Sequence, residues 1–182
     1  MSSATEVISK TNTQQEVPLP IESVFREHYG RVARIIARVV RDRARAQELA
    51  VDVFLKLWRS PQAQAEKVGG WLYRVAVRTA LDELRSRTRR ARYESIFGLL
   101  HASSAPATPE QIHRATEQQE RVRSILARME PRQAEFLVLR SHGFRYDEIA
   151  TILALNTASV GTLLARAQQA FRKEYSLRYG HE

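Results

Sequence analysis

The chain is 182 residues long, with 43% hydrophobic and 27% charged residues, which is room for one medium domain or two small ones. Only 7 Gly and 6 Pro argue against the tight turns of an all-β fold and a Gly-rich phosphate loop, and the absence of Cys removes disulfides, thiolate metal sites and a Cys nucleophile. A formal net charge of +9 points to a polyanionic partner, nucleic acid before anionic membrane.

Residues 1–20 are rich in Ser, Thr and Gln and lack an apolar h-region, so they read as a disordered tail and not a secretory signal. Ile21, Val24, Phe25, His28, Val32, Ile35, Ile36 and Val39 recur at helical spacing and predict a helix over 21–40. A second helix carries Leu49, Ala50, Val53, Phe54 and Leu57 and stops near Ser60-Pro61. After a polar loop, a third helix over about 70–89 has Leu72, Val75, Ala76, Thr79 and Leu84 on one face, and Gly98 suits the end of a short continuation. Three such helices close a small core by antiparallel packing.

Residues 96–116 contain the stretch HASSAPATP, which has no periodicity and reads as a flexible linker. Beyond it Val122, Ile125, Leu126 and Met129 form an apolar stripe. Pro131 suits a helix start and Gly143 a helix end. A short helix over 146–153, a break at Ala154-Leu155 and a helix capped by Asn156 make a helix-turn-helix candidate, with Val160, Leu163, Leu164, Ala167 and Phe171 inward. The expected fold is all-α. Two small helical domains, 21–95 and 117–175, are joined by the linker 96–116, with a C-terminal tail 176–182.

Charge is unevenly placed. Residues 21–95 hold 17 Lys/Arg against 9 Asp/Glu, while residues 117–182 hold 10 against 8. The densest stretch contains Arg85, Arg87, Arg89, Arg90 and Arg92, more than a helix C-terminus needs for its dipole. The five histidines show no metal-ligand spacing, and the adjacent Asp82 and Glu83 point in different directions on a helix. No catalytic residue, metal, cofactor or small-molecule substrate is expected. His28, on an apolar face, reads as a satisfied boundary histidine. No apolar run approaches the roughly 18 residues of a spanning helix, so a cytoplasmic protein without membrane insertion is expected.

Four segments, taken in order, resemble an extracytoplasmic-function (group 4) sigma factor of bacterial RNA polymerase. They are Phe25-Arg26-Glu27-His28-Tyr29, the helix Glu48-Leu49-Ala50-Val51-Asp52-Val53-Phe54-Leu55-Lys56-Leu57-Trp58, Trp71-Leu72-Tyr73-Arg74-Val75-Ala76 with Asp82 and the arginine run, and the span from Met129-Glu130-Pro131-Arg132-Gln133 through Tyr146-Asp147-Glu148-Ile149-Ala150 to Val160-Gly161-Thr162. The resemblance implies a σ2-like bundle over 21–95 and a σ4-like helix-turn-helix over 117–175.

It also implies roles. The second helix would dock on the β′ clamp helices of core RNA polymerase through Asp52, Leu55, Lys56 and Arg59, with Trp58 serving either core or interface. The third would capture the −10 element, using Trp71, Tyr73, Arg74 and Arg78 around an extruded base and Arg85, Arg87 and Arg89 along phosphates. Trp71 reads equally as an anchor for its loop. The recognition helix would enter the −35 major groove with Thr157, Ser159, Thr162 and Arg166, while Arg145 and Tyr146 touch backbone phosphate. Ser159 reads equally as a helix-start cap. Further implied partners are the polymerase β flap, promoter DNA and an anti-sigma factor wedged between the two units. The chain departs from the family pattern at Val51, where Gln is frequent, at Arg78, where Asn is frequent, and at Gly161 and Leu163, which replace a basic pair. These departures motivate one alternative reading, a sigma-like protein that binds polymerase but opens promoters weakly. The other is a plain helix-turn-helix regulator, which leaves the tryptophan-bearing helices unexplained.

Overall fold

The computed structural model describes residues 21–60, 67–98 and 110–180. The sequence readings on 1–20, 61–66, 99–109 and 181–182 lie outside these residues. The described residues form α1 (Ile21–Val40), α2 (Arg43–Trp58), α3 (Val68–Gly98), α4 (Glu110–Arg128), α5 (Pro131–Ser141), α6 (Tyr146–Leu153) and α7 (Thr157–Tyr179). They contain no strand, in keeping with the expected all-α fold.

Local chemistry sets the helix ends. Arg41 takes a left-handed φ of 55°, which turns the chain out of α1, and the Asp42 carboxylate then accepts the Arg45 N–H at 3.0 Å to open α2. Glu130 accepts the N–H groups of Arg132 and Gln133 over Pro131 at the start of α5. Gly143, with φ +81°, turns the chain after that helix. At α6 the Glu148 carboxylate reaches back to the Arg145 N–H at 2.7 Å, and at α7 Asn156 accepts the Ala158 N–H at 2.9 Å.

Two helices are longer than the periodicity implied. α3 runs through 90–98, where no Pro or Gly intervenes before Gly98, and α4 starts at Glu110, directly after Pro109. Both therefore extend into the span read as linker. α7 runs past 175 to Tyr179, where Phe171, Tyr175 and Tyr179 continue an aromatic row at helical spacing, the first pair stacked and the second tilted.

The helices α1, α2 and α3 form a first bundle around Val32, Ile35, Ile36, Val53, Leu57, Leu72 and Leu81, all buried. The second bundle, α4 to α7, encloses Ile125, Phe136, Leu139, Ile149, Val160 and Leu164. Each such side chain contributes about 1.5–3 kcal/mol relative to its exposed state. α3 belongs to both layers, since it packs on α1 and α2 and also on α4, α5 and α6. Among the described residues no single helix is long and apolar enough to cross a membrane; α6 and α7 reach that composition only as a pair bent by 93°.

Candidate nucleic-acid interface

On α2, Leu49, Val53 and Phe54 face inward and are buried. Asp52, Leu55, Lys56, Trp58 and Arg59 lie on the opposite, exposed side. Trp58 is 65% exposed, which places it on the surface and not in the core. Val51, Leu55 and Trp58 share one face at helical spacing, and all three are exposed large hydrophobics. An apolar strip edged by Asp52, Lys56 and Arg59 is the composition of a protein-docking surface. Val51 was read from sequence only as a departure; its place in this strip is visible only once the helix is turned outward.

Several residues expected at a −10 strand make contacts within the chain. Trp71 is half-buried against the core. The Tyr73 hydroxyl lies 2.9 Å from His28 Nδ1, so His28 is satisfied across the first bundle. The Tyr73 ring packs on Phe144 of the second bundle at 5.3 Å between centroids. The Arg31 guanidinium covers both rings, 4.0 Å from the Phe144 centroid and 5.0 Å from that of Tyr73, contacts worth about 0.5–2 kcal/mol each. Arg78 Nε donates to Glu135 Oε1 at 2.8 Å, again across the two bundles. Glu135 is the buried charged residue among the described residues, and its other oxygen has no hydrogen-bond partner. Arg38 donates to the Ser141 carbonyl at 3.0 Å and Arg123 to the Val40 carbonyl at 3.2 Å. Arg31, Glu135 and Phe144 carried no sequence signal, because their partners are about 40 to 115 positions away along the chain.

The arginine run divides. Arg87 spends its guanidinium on Glu83 at 2.9 Å and Asp42 at 3.0 Å, and Arg85 pairs with Asp82 at 3.3 Å. Arg45 reaches the same Glu83 at 3.2 Å. The Arg45 N–H first, and Arg87 second, hold the Asp42 carboxyl below its usual range, and the Arg45 side chain does the same for Glu83 against its burial. These charges lock α3 to the α1–α2 corner. Arg89 and Arg90 lie exposed beyond this network. Counting like charges along α3 cannot reveal that Asp42, from another helix, neutralises one of them.

In the helix-turn-helix, Thr157, Ser159, Thr162 and Arg166 are all exposed on the first turns of α7. Arg145 pairs with Asp147 at 3.2 Å, and Tyr146 is exposed beneath the Arg140 guanidinium, 5.5 Å from the ring centroid. Asn156 caps α7, so Ser159 points out without that duty. The turn uses Ala154 at φ 53°, a left-handed position normally given to glycine.

Comparison with known proteins agrees with this geometry. Residues 24–90 match the model of Sigma-70 region 2, and residues 119–170 match that of Sigma-70 region 4. The ECF RNA polymerase sigma factor SigK of Mycolicibacterium vanbaalenii is 29% identical over 148 residues, 79% of this chain and 76% of the relative. SigE of Mycolicibacterium smegmatis, also an ECF RNA polymerase sigma factor, is 27% identical over 181 residues, 98% of this chain and 69% of the relative. A solved structure of CnrH in complex with the cytosolic domain of CnrY shares the fold, with a TM-score of 0.53, 18% identity and coverage of 87% and 88% of the two chains. With both sigma-70 regions in order on two packed helical bundles, the chain belongs to the extracytoplasmic-function sigma factors of the sigma-70 family.

Proposed function

We propose that the chain, an alternative sigma factor directing transcription initiation, docks on core RNA polymerase through the exposed face of α2 and on promoter DNA through α3 and α7. The observation that carries the docking assignment is the strip Val51, Leu55 and Trp58, exposed on a helix whose other side is fully used by the core. Apolar side chains held outward on a rigid, well-packed helix suit a permanent protein surface better than solvent. The partner is the clamp-helix region of β′, with α4–α7 directed toward the β flap.

The recognition helix α7 presents three hydroxyls and Arg166 at its start, chemistry for hydrogen bonds to base edges and phosphates in a −35 duplex. Aromatic Trp71 and Tyr73 with Arg74, Arg78 and Arg89 supply stacking and charge for the opened −10 strand. The chain performs no bond chemistry; the polymerase does. It acts in the cytoplasm, where that enzyme is, and an anti-sigma protein is a further partner in this reading.

The test is run-off transcription. Purified chain and core polymerase, with a pool of templates from the source genome, should yield transcripts from a restricted set of start sites. Core polymerase alone should not. Loss of those transcripts with a Thr162→Ala, Arg166→Ala variant would tie α7 to promoter choice. Start sites unchanged by that variant would remove α7 from promoter choice.

A further inference from the structure

We infer that a cavity between the C-terminal end of α1 and the helices α4, α5 and α7 is a binding site for a small amphiphile, one carboxylate on an apolar body. The site is separate from the faces assigned above to polymerase and DNA. Neither Asp52, Lys56 and Trp58 of α2 nor Thr162 and Arg166 of α7 line it, and no residue of α3 does.

The cavity measures about 760 Å³, inside the range of roughly 300–1,000 Å³ that small-molecule sites occupy. Its walls are apolar: Val39 of α1, Val122 and Leu126 of α4, Leu137 of α5 and Phe171 of α7 line it. Val39 is buried, but the other four are only half-buried. Four helices thus leave apolar surface open to one shared space, and an apolar ligand body would remove that surface from water.

The charge around these walls has one sign. Arg38, Arg41, Arg123 and Arg172 line the cavity, and no Asp or Glu does. Glu120, just outside the lining, is shared: it bonds Arg123 and lies 3.8 Å from Arg41. Arg38 donates only to the Ser141 carbonyl, and exposed Arg172 has no ion-pair partner among the described residues. Arg123 shows the imbalance most directly. Its terminal nitrogens donate to Glu120 and to the Val40 carbonyl, while its buried Nε has no partner. Burial pushes the Arg123 guanidinium below its ordinary value; Glu120 opposes this, and the Arg41 and Arg87 charges add to it.

An anion beside these arginines supplies the charge that the lining lacks. A carboxylate suits the place better than a phosphate dianion. A single charge is less costly to desolvate against apolar walls, and a carboxylate still accepts two parallel bonds from one guanidinium. The body of the same molecule then covers Leu126, Leu137 and Phe171. Head and body are both needed, because the arginines are solvated without a tail and the walls offer no preference for charge without a head.

Dodecanoate, kept below the concentration at which it forms micelles, is the probe. Calorimetric titration of the whole chain should give one site, and the melting temperature should rise with dodecanoate concentration. Acetate has the head without the body, and dodecyltrimethylammonium has the body with the opposite charge. Each should bind at least about tenfold more weakly. A Gln119→Glu, Arg172→Glu variant changes only exposed positions beside the cavity. It should lose about tenfold in affinity, with helical content unchanged by circular dichroism. In amide NMR spectra the signals of Leu126, Leu137 and Phe171 should move with dodecanoate. The ligand series and the NMR map need no variant, so they decide the matter if the double variant fails to fold. No binding of dodecanoate, equal binding of dodecanoate and dodecyltrimethylammonium, equal binding of acetate, or wild-type affinity in a folded double variant overturns the site. Shifts confined to the exposed strip Val51, Leu55 and Trp58 on α2 overturn it as well.

Discussion

Arg87 of α3 bonds Asp42, the residue that caps α2, at 3.0 Å. One carboxylate thus ends a turn, starts a helix and anchors a guanidinium 45 positions later. The arginine run therefore divides: Arg87 ties α3 to the α1–α2 corner, Arg85 pairs with Asp82 on its own helix, and Arg89 and Arg90 extend past both, exposed. Arg87→Ala should lower stability by about 1–2 kcal/mol, discounted for the partial exposure of both partners. Arg89→Ala should leave the melting temperature unchanged and reduce the salt dependence of single-strand binding by about 0.7 in the logarithmic slope. Paired melting and salt-titration curves check both. An Arg87→Ala variant as stable as wild type would separate this residue from the corner.

The helix-turn-helix holds two misplaced residues. Ala154 sits at φ 53°, where glycine is easier, and Gly161 lies inside α7, where alanine is easier. A Cβ at 161 would meet only the Tyr146 ring, at an ordinary 3.6 Å. Ala154→Gly and Gly161→Ala should each stabilise the second bundle, by about 1 kcal/mol. Denaturant midpoints measure this. A destabilising Gly161→Ala would mean that α7 needs the missing side chain for a reason other than space.

His142 makes the junction sensitive to pH. Burial lowers its pKa, and the Arg38 and Arg31 charges of α1 act in the same direction. Its Nδ1 lies 2.8 Å from the Val138 carbonyl of its own helix, with Ser141 beside it, and the Arg34 backbone faces it from α1. The folded-state value is below the unfolded one, near 6.5. The unfolded chain therefore takes the proton first. The contribution of neutral His142 to stability is complete above about pH 6.5 and lost as pH falls through the folded value. Asp42 and Glu83, with lowered values, lose their contribution only below the ordinary carboxylate range near pH 4, a separate window. The melting-temperature advantage of wild type over His142→Gln should shrink between about pH 7 and pH 5. A constant difference would remove His142 from the pH response.

The helices were legible because their signals are local. The stripe from Ile21 to Val39, Pro131 at a helix start, Asn156 at another and the 146–153 element each follow from spacing or capping within one turn. The exposed positions on α2 and α7 were legible for the same reason, since helical phase separates Asp52 and Lys56 from Val53 and Leu57. What joins the bundles was not legible. Arg78 with Glu135, Tyr73 with Phe144 and Arg31 over both are contacts between distant segments, and no periodicity encodes a partner. Arg78 was readable as a cation available to DNA, but its commitment to Glu135 depends on where α5 comes to rest.

The central claim is that α2 is a polymerase-docking surface, and a titration of the whole chain against core RNA polymerase tests it most directly. The expected result is submicromolar binding that an Asp52→Arg, Lys56→Glu variant weakens at least about tenfold, without loss of helical content. Absence of binding by the wild type at micromolar concentrations, or equal binding by the variant, would contradict it.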